Sequence, residues 1–274
     1  RRRGGAWRKV ARIGTAERRM AGLASNRRML DENGRCTAMR FSMCKSDALK
    51  RRPTGLIDPL LRTVAFHDAD GRLLAAMHFY ASHPMGAYLR NRVGADIPGV
   101  ALDHASRHSD PGALQIYFTG CGGNVTFGKY HLNSDRTIQV LGERLGAGML
   151  DNLRALREAP IGPMAFRSAR FELPLKADME AGLLERRIEA ARNTREVCGP
   201  AGRRIILRQW KRWSRLAVSR MSLGPEVHFL SLPGETVVEY QLHAQGLVPE
   251  RFLAVAAYGD CTAHYIPTAA QYDE

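Results

Sequence analysis

Nowhere does the sequence hold an apolar run approaching the roughly 18 to 20 residues that a membrane helix needs, so no segment reads as a bilayer span. Neither end carries a signal-peptide pattern. Cysteine is sparse: Cys36, Cys44, Cys121, Cys198 and Cys261 are odd in number and, beyond the first pair, widely spaced. That excludes a zinc ribbon or a disulfide framework and leaves mostly free thiols. Glycine and proline, 26 and 13 of 274 residues, stay near ordinary usage, which excludes a collagen-like or wholly disordered chain. No internal repeat or low-complexity tract is present, and no linker divides the chain. Because it opens on Arg1, the sequence reads as a processed form, an internal fragment or an incomplete translation. The compartment stays open between a soluble or peripheral protein and a secreted one whose leader has been removed.

Acidic side chains are the clearest shortage, 27 against 41 lysines and arginines, for a net charge of +14. Residues 1 to 60 alone hold sixteen basic and five acidic side chains. A second cluster (Arg203, Arg204, Arg208, Lys211, Arg212, Arg215 and Arg220) contains no acid between its ends and is interleaved with Trp210 and Trp213. Such fields attract phosphates and anionic membrane surfaces. They match no helix-turn-helix, zinc-finger or single-strand-binding motif, which argues against nucleic acid as the partner. A solvated basic surface is the plain alternative.

The apolar pattern predicts an α/β fold, a mixed β-sheet core with surrounding helices, in one domain over 1–274. A short helix is expected around Ala16 to Ala24. Leu60 to Phe66 and Arg72 to Tyr80 read as a hairpin about the turn Asp68-Ala69-Asp70-Gly71. A helix from Asp96 to His108, a buried strand from Leu114 to Thr119 and a long helix from Ser134 to Arg157 follow. Met164 to Leu175 reads as a strand and Asp178 as the cap of a helix reaching Arg195. A Gly/Pro turn over 196–203 and a helix from Ile205 to Val218 complete a helical insertion or subdomain spanning 176–222. Glu226 to Leu232 is the next strand, Glu235 opens a helix to Gln245, and Phe252 to Ala257 is the last strand before a polar, aromatic loop.

Ligands of open α/β sheets bind where loops leave the carboxyl ends of strands. His83, the loop Gly120 to Thr126, Glu235 and the loop Tyr258 to Tyr265 all lie at such ends. Imidazole and carboxylate are suitable zinc ligands, although His83 also suits a backbone-bonded strand end and Glu235 a first-turn cap. Gly122, Gly123 and Asn124 can bring backbone amides to a substrate oxyanion, or simply make a tight connection. Thr126 adds a hydroxyl nearby. Tyr265 is a candidate metal ligand or hydrogen-bond donor, with a packed aromatic as the alternative. Cys121 as a nucleophile with His83 as its base rests on spacing alone, which does not establish a dyad. His78, inside a strand, reads as structural.

The ordered segments Gly22 to Arg28 with Asn26-Arg27-Arg28, Asp58 to Pro84 ending Ala81-Ser82-His83-Pro84, and Gly94 to Gly99 form a recognisable series. It continues with Phe118 to Phe127, Leu232-Pro233-Gly234-Glu235, and Tyr258 to Tyr272 with Tyr265-Ile266-Pro267-Thr268. Together they resemble the N-terminal catalytic domain of the neutral/alkaline ceramidase family, over about 250 residues. The resemblance implies a Zn²⁺ site in which His83, Glu235 and Tyr265 are three ligands, and hydrolysis of an N-acyl amide, with ceramide the best-known substrate. It implies that Thr126 stands where ceramidases carry a serine implicated in catalysis, in a loop that here lacks their aspartate and proline. It also implies an upstream His-x-His segment, supplying a fourth ligand and a general base, that this chain does not contain. The activity so implied therefore belongs to a complete parent protein rather than to this chain alone. The implied partners are a lipid or other N-acylated small molecule and an anionic membrane surface. Two other readings stand beside this one: a zinc hydrolase of another small amide or ester, and a non-catalytic basic remnant that binds lipid or nucleic acid.

Overall fold

The computed structural model describes residues 8–87, 93–175, 179–212, 215–259 and 264–272. The chain starts with β1 (Arg12–Arg19), the short pieces β2 (Ser25–Asn26) and β3 (Arg28–Leu30), β4 (Cys36–Met39) and α1 (Asp47–Arg51). The hairpin β5 (Leu60–His67) and β6 (Leu73–Tyr80) closes at Asp68, whose carboxylate accepts from the Arg72 amide at 2.9 Å. Next come α2 (Asp96–Arg107), β7 (Leu114–Thr119), β8 (Val125–Thr126), α3 (Asp135–Arg154) and β9 (Arg157–Ala159). The Ser134 hydroxyl caps α3 by accepting from the Thr137 amide. The second half holds β10 (Met164–Phe171), α4 (Ala181–Glu189), α5 (Thr194–Arg212), β11 (Leu216–Leu223) and β12 (Val227–Pro233). It ends with β13 (Glu235–Thr236), α6 (Val238–Gly246), β14 (Phe252–Gly259), β15 (Tyr265–Ile266) and α7 (Ala269–Tyr272).

Two mixed sheets form the core. The first has the order β7-β6-β5-β1-β9, with only β6 and β7 parallel, and the second the order β10-β11-β12-β14, with only β12 and β14 parallel. Alternation along each strand sends one set of side chains to each face. Val64, Phe79 and Phe118 meet Val227, Phe229 and Ala254 between the sheets. The Phe79 ring stacks on Phe118 with centroids 4.9 Å apart and tilts against Phe229 at 5.8 Å. On the other face of the first sheet, Leu61 and Tyr80 pack with Ile97 and Ala101 of α2 and Leu141, Leu145 and Met149 of α3. Leu232, Leu253 and Val255 face Ala244 of α6 on the far side of the second sheet. Each such large side chain contributes about 1.5–3 kcal/mol of burial, so the two strand ends that meet at the site hang from rigid layers.

Within the first sheet, His78 is fully buried and both its ring nitrogens are used. Nδ1 lies 2.9 Å from the Thr63 hydroxyl and Nε2 2.9 Å from Gln115 Oε1. Asn152 of α3 donates to Thr63 at 3.0 Å and to the Leu61 carbonyl at 2.9 Å. Burial lowers the His78 pKa to about 4, against the opposing Gln115 bond, so the ring is neutral.

The mixed sheet with flanking helices matches the expected fold class, and four expected elements differ. Ala16 to Ala24 is not helical: its first residues belong to β1, which pairs with β5 from Arg12↔His67 to Arg19↔Leu60, and this long ladder overrides local propensity. No turn interrupts 196–203. A single helix, α5, runs through Pro200, started by the Asn193 side chain, which accepts from the Glu196 amide at 3.1 Å. The chain then returns to the sheet at Leu216, so the helical excursion is α4 and α5, within 181–212, between the antiparallel neighbours β10 and β11. Glu235 does not begin a helix; it forms β13 and α6 starts three residues later. Asp178 and Trp213 lie outside the described residues. Among those described, no helix is long and apolar enough to cross a membrane.

Candidate metal centre and its surroundings

The apolar strand β6 delivers His83 to the rim of the first sheet, where only 4% of the residue remains exposed. The His83 amide donates to the Val125 carbonyl at 2.9 Å, tying the strand end to the glycine-rich loop. Two glycines make that approach feasible. A Cβ on Gly122 would stand 2.8 Å from the His83 nitrogen, and one on Gly123 would stand 2.4 Å from the Glu235 carbonyl oxygen. The loop is thus the spacer through which the two sheets' ends come together.

Glu235 and Tyr265 are brought side by side by a two-residue parallel ladder, in which Glu235 pairs with Tyr265 and Thr236 with Ile266. The Glu235 amide donates to the His264 carbonyl at 2.6 Å. The ring of His83 faces both: Nε2 lies 3.4 Å from Glu235 Oε2 and 3.4 Å from the Tyr265 hydroxyl. Its Nδ1 lies 3.0 Å from the Tyr258 hydroxyl. Burial, then the charge of Arg27, lower the His83 pKa to about 4, while a bond to the Gly123 backbone opposes the shift. The imidazole is neutral at pH 7, the form that can lend a lone pair. Burial raises the Tyr265 phenol pKa, and Arg27 works against that rise.

Sequence reasoning placed Arg27 in a segment but gave it no role. Its Nη1 donates to the Tyr265 hydroxyl at 3.3 Å and its guanidinium lies 4.7 Å over the Tyr265 ring, a cation–π contact. The Arg27 amide donates to the Asn124 carbonyl and its carbonyl accepts from the Arg40 amide. Arg40, fully buried, in turn fans its guanidinium over the carbonyls of Asn26, Leu49, Arg52, Pro53 and Thr54. The signal that pointed here was the Asn26-Arg27-Arg28 segment itself.

Thr126 and Asn124 do not join the cluster. The Thr126 hydroxyl, in a residue only 1% exposed, donates to the Arg40 carbonyl at 3.4 Å and accepts from the Gly128 amide at 3.1 Å. β8 pairs with β2 there, and that pairing turns the side chain into the fold. Asn124 Oδ1 accepts from the Val238 amide at the start of α6, and its Nδ2 donates to Glu239. The amides of Cys121, Gly123 and Val125 bond Gln241 Oε1, the Thr236 carbonyl and the Gly122 carbonyl, so the loop's amides largely serve packing. Cys121 is fully buried and its thiol pKa is pushed up by that burial, the opposite of an activated nucleophile.

Among the described residues no group of three or more His, Cys, Asp or Glu side chains is placed to hold a metal ion. The cluster offers one imidazole, one carboxylate and one phenol, a nitrogen–oxygen donor set chemically suited to zinc. A groove of about 480 Å³ is lined by Met29, Leu30, Pro53, Leu56 and Ala270 with Arg28 and Arg52; it includes Arg28, next to Arg27 in the chain, Thr268, three residues past Tyr265, and Glu239, the partner of Asn124. A larger groove, about 660 Å³, lies between Thr15–Glu17 and Val248–Leu253, and the linings of both grooves exclude His83, Glu235, Tyr265 and Arg27.

Solved structures share this architecture. A ceramidase complexed with C2 superposes with a TM-score of 0.63 at 15% identity, over 95% of this chain and 48% of that one. Neutral ceramidase from Pseudomonas aeruginosa gives a TM-score of 0.60 at 16% identity, over 93% and 46%. The chain has the neutral/alkaline ceramidase fold and spans about half the length of each of these two proteins. No protein-family model and no curated protein matches it.

Proposed function

We propose that this chain carries most of the ligand set of a zinc-dependent amidohydrolase that cleaves an N-acyl amide, ceramide among the candidate substrates, to an amine and a carboxylate. The observation behind this reading is the convergence of His83, Glu235 and Tyr265 from three distant segments, with the imidazole nitrogen 3.4 Å from both oxygens. Those three residues would hold the ion, which would polarise the amide carbonyl and make bound water acidic enough to attack near neutral pH. His83, kept neutral, offers Nε2, and Glu235 contributes the negative charge. The Tyr265 hydroxyl and the Arg27 guanidinium face the same space, where they can donate to the oxyanion as it develops. The apolar groove beside Leu30 and Leu56 suits an acyl chain, and the arginines along it suit an anionic lipid surface.

The test measures zinc by elemental analysis in the full-length protein and in His83→Ala and Glu235→Ala, together with hydrolysis of ceramide, short N-acyl amines and simple esters. One zinc per wild-type chain, lost together with amide hydrolysis in both variants, is the expected result. No zinc and no hydrolysis in the wild type would leave a lipid-binding module, and cleavage of esters alone would replace the amide reading.

A further inference from the structure

Tyr258 adopts φ 67°, a left-handed conformation costly for a bulky side chain. It sits at the end of β14, where pairing with β12 becomes irregular between Ser231 and Pro233. Strain of this kind persists where surrounding structure imposes it, often at functional sites. Here it coincides with contacts to two of the proposed zinc ligands' segments. The Tyr258 amide donates to the Gly234 carbonyl at 2.8 Å, and the Gly234 amide donates to Gly259, also at 2.8 Å, clasping the turn that presents Glu235. The phenol oxygen lies 3.0 Å from His83 Nδ1, and the two rings meet edge to face with centroids 5.8 Å apart. Gly122 leaves room for this contact, since a Cβ there would stand 3.0 Å from the same phenol oxygen.

We infer that Tyr258 is a positioning residue of this centre: its phenol fixes the His83 ring so that Nε2, rather than Nδ1, is presented to Glu235 and Tyr265. A hydroxyl suits the task because it is both donor and acceptor. It accepts from Nδ1–H when Nε2 lends its lone pair, and donates to Nδ1 when Nε2 carries the proton. A carbonyl partner could support only the first state. Supporting groups of this type hold ligating histidines in one ring orientation. The inference rests on the proposed zinc reading for its metal readout, but its ring readout is independent of that reading.

The experiment compares wild type with Tyr258→Phe, which keeps the ring and removes the hydroxyl. In metal-free protein, nitrogen NMR of the His83 ring is expected to show a displaced Nδ1 resonance and a changed tautomer ratio, with the melting midpoint essentially kept. Titration with Zn²⁺ alone is expected to show affinity weakened about 10–100-fold. His83 resonances unchanged by the substitution overturn the inference, as does an unaltered zinc affinity in a variant that binds zinc. Should the wild type take up no zinc, the hydrolase reading falls, and the ring resonances still decide the role of Tyr258.

Discussion

His78 and His83 lie on one stretch of chain, both almost wholly buried, and burial lowers both to a pKa of about 4. Their surroundings differ in kind. His78 sits between the sheet and α3, with Thr63 and Gln115 taking its nitrogens in a closed network that Asn152 completes. His83 sits at the rim, its Nε2 turned to a carboxylate and to a phenol whose residue is 46% exposed. A lowered pKa therefore does not separate the structural histidine from the candidate ligand. What separates them is the chemistry of the neighbours and whether anything from outside can reach them.

Exchanging the two roles tests that contrast. On the proposed hydrolase reading, the largest effect is expected from His83→Ala: no bound zinc and a fall in hydrolysis of about 10³-fold or more, beyond the 10–100-fold typical when a supporting group is lost, read by elemental analysis and steady-state rates. His78→Leu should act on the other quantity. It leaves the Thr63 hydroxyl and Gln115 without their buried partner, so denaturant unfolding should show a loss of about 2–4 kcal/mol with zinc affinity unchanged. Arg27→Met should lower kcat about 10²-fold with little change in KM, the signature of a donor used mainly in the transition state.

The pH dependence gives a finer comparison. A histidine whose folded pKa lies near 4 and whose unfolded value is 6.5 takes up a proton in the unfolded state first as pH falls. Its stabilising contribution is complete above about pH 6.5 and is lost between there and about pH 4, with a slope of up to about 1.4 kcal/mol per pH unit. Urea titrations across this window should show a shallower slope in His78→Leu. The smallest effect is expected on the helical excursion. Arg204 pairs with Glu185 at 2.5 Å with both side chains nearly half exposed, and Arg204→Ala should change unfolding by less than about 1 kcal/mol.

The β5–β6 hairpin, β7 and α3 were legible because their signals are local: a turn at Asp68 to Gly71, alternation from Leu114, and a long apolar period closed by a Ser134 cap. β1 was not, since what makes it a strand is a ladder to residues nearly fifty positions away. The same holds at the site. His83, Glu235 and Tyr265 could each be named from a place at a strand end, and the resemblance joined them as one ligand set. The β13–β15 pairing that aligns them left no local trace, and Glu235 after Pro-Gly looked like a helix start. The inward turn of Thr126 is hidden from sequence for a related reason. Its position in the loop was visible, whereas the short β2–β8 pairing that turns its hydroxyl inward was not.

The ladder joining Glu235–Thr236 to Tyr265–Ile266 also bears on how the protein acquires its shape. Contacts between residues so far apart in sequence form only after the intervening chain has been ordered, and folds rich in them form slowly. His83 and Arg27 must arrive from still farther off. Assembly of the whole cluster thus marks the end of folding rather than an early nucleus. If the proposed zinc reading holds, a fluorescent zinc competitor would act in refolding as a clock for this last event, lagging behind the rise of far-ultraviolet dichroism from α2 and α3.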